Sequence, residues 1–250
     1  MRVLGIETAT ASQSVALLQD QQIIAEASWS GAGTRGGTLL PMIDSVLRKA
    51  GLGPGAVEAV AVSVGPGSFT GVRVGLATAK GMVLGTNAHL IGVSTLQALA
   101  AGYAFRTETV CALLHAGRGE VYAALYTRGD DAELQPLGPE AVLSPEAVAL
   151  QALALVAGEI HLIGDGVQRY RERLEAAFQG RARITNEGVN AVPSATQVAR
   201  LAFGRIGKAP SDALQQNEVL PVYLRRAEAE VNWEKGLVGS PLERLVKAGR

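Results

Sequence analysis

A duplicated α/β fold of two lobes, each a mixed sheet with flanking helices, is what this sequence predicts. Two observations carry that expectation. Three apolar runs followed by helix, strand and helix occur twice, about a hundred residues apart. The first pass also holds a strand, a tight glycine turn and a helix start at residues 59–81, a junction typical of α/β sheets. The repeat is one of element order, since no residue-level repeat is visible.

The elements follow in order. Arg2–Thr8, Ser14–Gln19 and Gln22–Trp29 are short apolar runs, broken by Ala9–Gln13 and Asp20-Gln21, and read as a three-strand meander. Gly31–Gly37 is a glycine-rich break. Leu39, Ile43, Val46, Leu47 and Ala50 then recur at helical spacing. Thr38 is placed to cap that helix, Pro41 falls in its first turn, and Gly51 ends it. Ala59–Val64 reads as a buried strand, about Gly71–Gly85 as a helix, Leu90–Val93 as a strand, and another helix starts near Ser94.

The second pass repeats the order. Thr109–Ala116 and Glu120–Tyr126 flank a tight Gly117-Arg118-Gly119 turn, with a third strand near Glu133–Leu137. Ser144 caps and Pro145 opens a helix through Leu155. The strand Ile160–Ile163, a helix Val167–Phe178 and a helix behind Ser194 complete it. The expected domains are 1–105, 106–209, and a C-terminal segment, 210–250, packing back on the lobes. Two halves of this kind facing each other resemble the actin, hexokinase and Hsp70 superfamily. There, the hairpin between the first two strands of each lobe holds nucleotide phosphates. The corresponding hairpins here are Glu7–Ser12 and His115–Gly119.

Composition narrows the function. The 250 residues carry 23 basic and 23 acidic side chains, so net charge offers no electrostatic case for a nucleic-acid or membrane surface. No leader layout and no run of ~20 apolar residues is present, and a cytoplasmic location is expected. The single cysteine, Cys111, lies in an apolar run and reads as a buried small hydrophobe. His89, His115 and His161 are too scattered for a metal cluster, and neither H-E-x-x-H nor G-x-S-x-G occurs.

The most informative stretch runs from Val64 to Gly81. Gly65, Gly67, Ser68, Thr70, Gly71 and Arg73 form a glycine loop at a helix start, where free amides and the helix dipole could hold an anion. The alternative is a turn needing glycine for close helix-to-sheet packing. Lys80 lies too far from the glycines for a P-loop. Glycine costs ~1 kcal/mol per interior helical site relative to alanine. Gly71, Gly75 and Gly81 therefore imply close approach, either of this chain's own sheet or of a second protein.

The run G-P-G-S-F-T-G-x-R-x-G-x-x-x-A-K-G resembles the signature of the TsaB (YeaZ) family, partner subunits in bacterial synthesis of N6-threonylcarbamoyladenosine. Val3–Thr8, Leu39–Ile43, Arg118–Tyr122 and Pro221–Arg225 agree with it, and the resemblance covers the chain to about residue 235. It implies a non-catalytic paralogue of TsaD, the transferase acting on adenosine 37 of tRNA. TsaD carries H-x-x-x-H for its metal after the strand that here ends at Val93. The same register puts Thr95 and Leu99 there, and neither can replace an imidazole, so no metal site is expected.

The resemblance further implies docking to TsaD, with TsaE as a third component, and tRNA contact only through the complex. The docking residues would be Leu39, Leu40, Ile43, Val46 and Leu47 on one helix and Val72, Leu76, Ala79, Met82 and Val83 on the next. At least half of them are expected in the core. A homodimer through the same helices remains open, as does an autonomous kinase-like or peptidase-like enzyme. The first hairpin lacks the glycine and basic residue that superfamily kinases use for phosphate. TsaB relatives usually carry an aspartate where His115 stands. No tightly bound cofactor is expected; ATP or ADP would sit at the shared interface of the complex. Glu7 and Glu120 read as hydrogen-bonded or solvated turn carboxylates, and Arg169, Arg171, Arg173, Arg225 and Arg226 as solvated charge.

Overall fold

The computed structural model describes residues 1–31, 35–103, 109–129, 133–184, 192–206 and 219–225. Strands β1 (Arg2–Glu7), β2 (Ser12–Gln19) and β3 (Gln22–Ser30) form the antiparallel meander, and β4 (Ala59–Ser63) and β5 (His89–Val93) add in parallel. The sheet order is β3-β2-β1-β4-β5. The second sheet uses β6 (Thr109–Gly117), β7 (Glu120–Arg128), β8 (Leu134–Pro136), β10 (Ile160–Ile163) and β11 (Ala182–Ile184). Its order, β11-β10-β6-β7-β8, is the same arrangement, and β9 (Ala141–Leu143) pairs with β7 off that path. Duplication read from element order thus reappears as identical strand topology.

Helices α1 (Arg35–Lys49) and α2 (Phe69–Val83) cover one face of the first sheet, burying Leu39, Ile43, Val46, Leu76, Ala79 and Val83 against Leu4, Ile6, Val15 and Val60. On the second sheet, α4 (Pro145–Leu155), α5 (Asp165–Arg169) and α6 (Arg171–Phe178) do the same work around Leu113, Ile160 and Phe178. The inner faces are closed crosswise. Helix α3 (Thr95–Gly102) follows the first sheet in sequence, yet its Leu96, Leu99 and Ala100 pack on Val110, Ala112 and Tyr122 of the second. Helix α7 (Ala195–Ile206) follows the second sheet and buries Ala195, Val198, Ala199 and Ala202 on Val3, Ala16, Ala59 and Ala61 of the first. By packing, residues 195–206 belong with the first sheet.

Several expectations are corrected. Helix α1 begins at Arg35 instead of Leu39, so Thr38 is not its cap and Pro41 lies inside it. The Thr38 hydroxyl instead bonds Gln13 Oε1 on β2 at 3.0 Å. That anchor and the burial of Leu39 outweigh the helix-breaking tendency of Gly36, Gly37 and Pro41. Helix α2 starts at Phe69, where the Ser68 hydroxyl accepts the Gly71 amide at 3.3 Å. The single helix expected over Val167–Phe178 is two, broken at Tyr170, whose φ and ψ of −122° and 27° leave the helical region. The three-residue strands β9 and β11 are too short to show a period. Of the expected 210–250 segment only 219–225 is described, and Arg226 and residues 32–34 lie outside the described residues. No described helix is long and apolar enough to cross a membrane.

Candidate functional site

The glycine loop of the first lobe and the second hairpin meet around a cleft between the lobes. Its volume is about 370 Å³, and its walls include Pro66, Gly67 and Phe69 of the first lobe and Ala116, Gly117 and Arg118 of the second. Val222, Tyr223, Leu224 and Arg225 line it as well.

The first hairpin is tied down completely by its own lobe. Thr8 and Ala9 are buried; the Thr8 hydroxyl donates to the Gly71 carbonyl at 2.8 Å, and Ala9 accepts the Ser68 amide at 2.7 Å. A Cβ on Gly71 or Gly75 would overlap Thr8. Close approach of the chain's own hairpin therefore explains these two glycines, and the Gly71 amide is used by Ser68. Thr70 and Arg73 are exposed on the same helix start. Arg73 lies 3.8 Å above the Phe69 ring and donates Nε to the Tyr223 hydroxyl at 2.9 Å.

Glu7 is fully buried, which makes it the hydrogen-bonded turn carboxylate of the two expected forms and not the solvated one. Its carboxylate accepts the Ala9 amide at 2.6 Å and contacts the Ser63 hydroxyl. Burial pushes its pKa up to about 7, against the pull of the two hydrogen bonds. Sequence gave no warning of this, because an acidic residue ending a strand before a turn normally reaches water.

In the second hairpin, His115 contacts the Tyr170 hydroxyl through Nδ1 at 3.1 Å, and its backbone amide donates to Asp165 at 2.9 Å. Partial burial, then the nearby Arg169, lowers its pKa, which keeps the ring neutral at pH 7. Glu120 is ion-paired with Arg225, Arg173 with Glu146, and Arg171 with Glu175. The Thr8 and Thr10 hydroxyls and the Ala9 amide are used within the first lobe, whereas the second hairpin brings a neutral imidazole and Arg118, which lines the cleft.

Most of the expected docking residues are not on the surface. Leu39, Ile43, Val46, Leu47, Val72, Leu76, Ala79 and Val83 are buried in the core. Leu40, 61% exposed, points outward, and Met82 is half-buried. The faces of α1 and α2 turned from the sheet carry Leu40, Ala77, Gly81 and Leu84, which is 80% exposed. A Cβ at Gly81 would meet nothing within 4 Å among the described residues, so their packing does not account for that glycine. The helix expected to about Gly85 ends at Val83, which leaves Leu84 as its C-cap. Thr95 and Leu99 are both buried on α3, and the Thr95 hydroxyl has no partner among the described residues. No three His, Cys, Asp or Glu side chains come together as a metal site among the described residues.

Two sheets of one strand order, closed crosswise by exchanged helices and meeting at paired hairpins, define a protein of the actin, hexokinase and Hsp70 class. A family model described as TsaD, tRNA N6-adenosine threonylcarbamoyltransferase, matches residues 37–233. The tRNA threonylcarbamoyladenosine biosynthesis protein TsaB of Escherichia coli (strain K12) is 34% identical over 238 residues, covering 94% of this chain and 98% of that protein. The solved structure of YeaZ from Pseudomonas aeruginosa superposes with a TM-score of 0.72 at 30% identity, covering 89% of this chain and 99% of that one. A tRNA N6-adenosine threonylcarbamoyltransferase of Nitratidesulfovibrio vulgaris (strain DP4) is 37% identical, but over only 41% of this chain and 33% of its own length. The chain belongs to the TsaB family.

Proposed function

We propose that this chain is a non-catalytic scaffolding and activating subunit in the synthesis of N6-threonylcarbamoyladenosine at tRNA position 37. It docks to the catalytic paralogue TsaD and acts with TsaE. The observation that carries the non-catalytic part is the state of Thr95 and Leu99. Both are buried: Leu99 packs among Leu96, Ala112 and Tyr122, and the Thr95 amide donates to the Gly65 carbonyl at 2.9 Å. A hydroxyl and a leucine there offer no ligand set for a metal. Full-length similarity to proteins named for biosynthesis of the nucleoside supports the same reading.

Docking uses the outward faces of α1 and α2, where Leu40, Gly81 and Leu84 are open to a partner. tRNA contact arises through the complex, and a nucleotide, where one is used, sits at the shared interface. The same face pairing two copies of this chain is the second reading, favoured by the same exposed Leu40 and Leu84. The test is reconstitution with TsaD, TsaE, tRNA and the threonylcarbamoyl-adenylate donor, omitting one protein at a time. Modification should need this chain and TsaD together. Turnover by this chain alone, from a host lacking TsaD, would defeat the proposal.

A further inference from the structure

Residues 219–225 hold both lobes at once. On the first lobe, Val219 packs against the core under α2, and the Val222 amide donates to the Val64 carbonyl at 2.7 Å. Gly65 is kept free of a Cβ by the Val222 carbonyl, which would lie 2.5 Å from it. The Tyr223 ring stands 5.0 Å from Phe69, and its hydroxyl accepts from Arg73. On the second lobe, Leu224 packs against the α3–β6–β7 core. Arg225 donates to the Ala116 carbonyl and pairs with Glu120, both beside the tight turn of the second hairpin.

We propose that residues 219–225 are a clasp that sets the width of the inter-lobe cleft, with Tyr223 as its attachment to the first lobe and Arg225 as its attachment to the second. Chain length makes this a constraint. The step from Val222 to Arg225 spans at most about 10 Å when fully extended. The glycine loop and the second hairpin therefore cannot move apart freely; one attachment must release first. The Arg225 attachment is the salt-sensitive one, because it includes an ion pair partly open to solvent, with side chains 23% and 38% exposed. The Tyr223 attachment combines ring packing, a side-chain hydrogen bond and the neighbouring backbone bond to Val64. Molar salt should loosen the clasp at Arg225, since the screening length then falls to about 3 Å, comparable to the spacing of a contact pair.

The full chain tests this through the distance between its lobes. Cys111, the sole cysteine, is buried and its thiol pKa is pushed up to about 12 by burial, so added surface cysteines label selectively. Spin labels at Gln22→Cys on β3 and Ala176→Cys on α6 occupy exposed positions away from the clasp. Electron–electron distance measurements should show a longer and broader separation in Arg225→Ala and in Tyr223→Ala than in the labelled parent. Glu120→Gln should shift the same way by less, and Arg225→Lys should stay near the parent. Raising salt should lengthen the parent's separation and leave Arg225→Ala unmoved. Thermal melting checks that each variant is folded; should Arg225→Ala fail to fold, Tyr223→Ala and Glu120→Gln decide. Distance distributions that superpose on the parent in folded variants would overturn the clasp.

Discussion

Thr8 and Gly71 are bound across 63 positions of sequence: the threonine hydroxyl donates to the glycine carbonyl at 2.8 Å, and the Thr8 backbone fills the place of a Gly71 side chain. The relation joins the first hairpin to the start of α2, and it separates the glycines of that helix into two kinds. Gly71 and Gly75 serve this chain's own packing, whereas Gly81 faces open space.

Alanine at those positions should therefore act in opposite directions. Gly71→Ala forces Thr8 and the hairpin away and should cost about 1–3 kcal/mol, as overpacking does. Gly81→Ala meets no neighbour in a helical interior and should stabilise by about 0.5–1 kcal/mol. Urea unfolding of both variants beside the parent measures the difference. Equal destabilisation would show that Gly81 is packed in the isolated chain.

The same open space makes Gly81→Leu a clean probe of association. A leucine there should leave the monomer's melting temperature within a few degrees of the parent while blocking close approach of a second helix. Sedimentation or co-purification with TsaD should then show association weakened at least tenfold, about 1.4 kcal/mol. Undiminished association by a folded variant places the interface on another face.

Glu7 makes stability pH-dependent. Its pKa rises from 4.5 to about 7 on folding, so the folded chain holds a proton that the unfolded chain releases between those values. Stability from this group is fully present below about pH 4.5, falls by about 3 kcal/mol as pH climbs to about 7, and is flat above. Glu7→Gln should remove that slope and be more stable than the parent at pH 8 by about 1–3 kcal/mol. Glu58, lowered by its hydrogen bonds to Arg2, and Glu146, held near 2 by Arg173, act in the opposite sense and at lower pH. Denaturant titrations from pH 4.5 to 8 separate them; parallel curves for parent and Glu7→Gln would mean that Glu7 ionises normally.

ATP with magnesium should bind the isolated chain weakly, with a dissociation constant around the millimolar range, about −4 kcal/mol. The reason is that the Thr8 hydroxyl and the Ala9 and Ser68 amides are used within the first lobe and His115 is neutral, so Arg118 is the one cationic side chain that the two hairpins themselves supply. Calorimetry is the measurement. Low-micromolar binding with hydrolysis would reveal a working nucleotide site.

Sequence made the strands legible wherever apolar runs were long enough to show a period, as at Arg2–Glu7 and Glu120–Arg128, and wherever a cap was local, as at Ser144-Pro145. The α1 start was hidden because Gly36, Gly37 and Pro41 oppose a helix locally, and the burial of Leu39 with the Thr38 contact to Gln13, 25 residues away, overrides them. Apolar spacing marked the buried side of α1 and α2 but not the outward side, which small residues and Leu40 and Leu84 define. The depth of Glu7 and the reach of Arg225 to Ala116 depend on pairings 56 and 109 residues apart, which no local pattern encodes.

The crosswise exchange of α3 and α7 has a consequence during synthesis. The first sheet is complete once Val93 has been made, but the helix that covers its inner face begins only at Ala195. At about 5–20 residues per second, roughly a hundred further residues take some 5–20 s to emerge. Through that interval Val3, Ala16, Leu18, Ala59 and Ala61 have no covering layer, and a nascent chain stalled between the two sheets presents them to any apolar surface nearby. The birth order of this molecule therefore leaves its oldest sheet waiting for its youngest described helix, making the half-made protein a natural client for a chaperone that shields apolar surface at the ribosome.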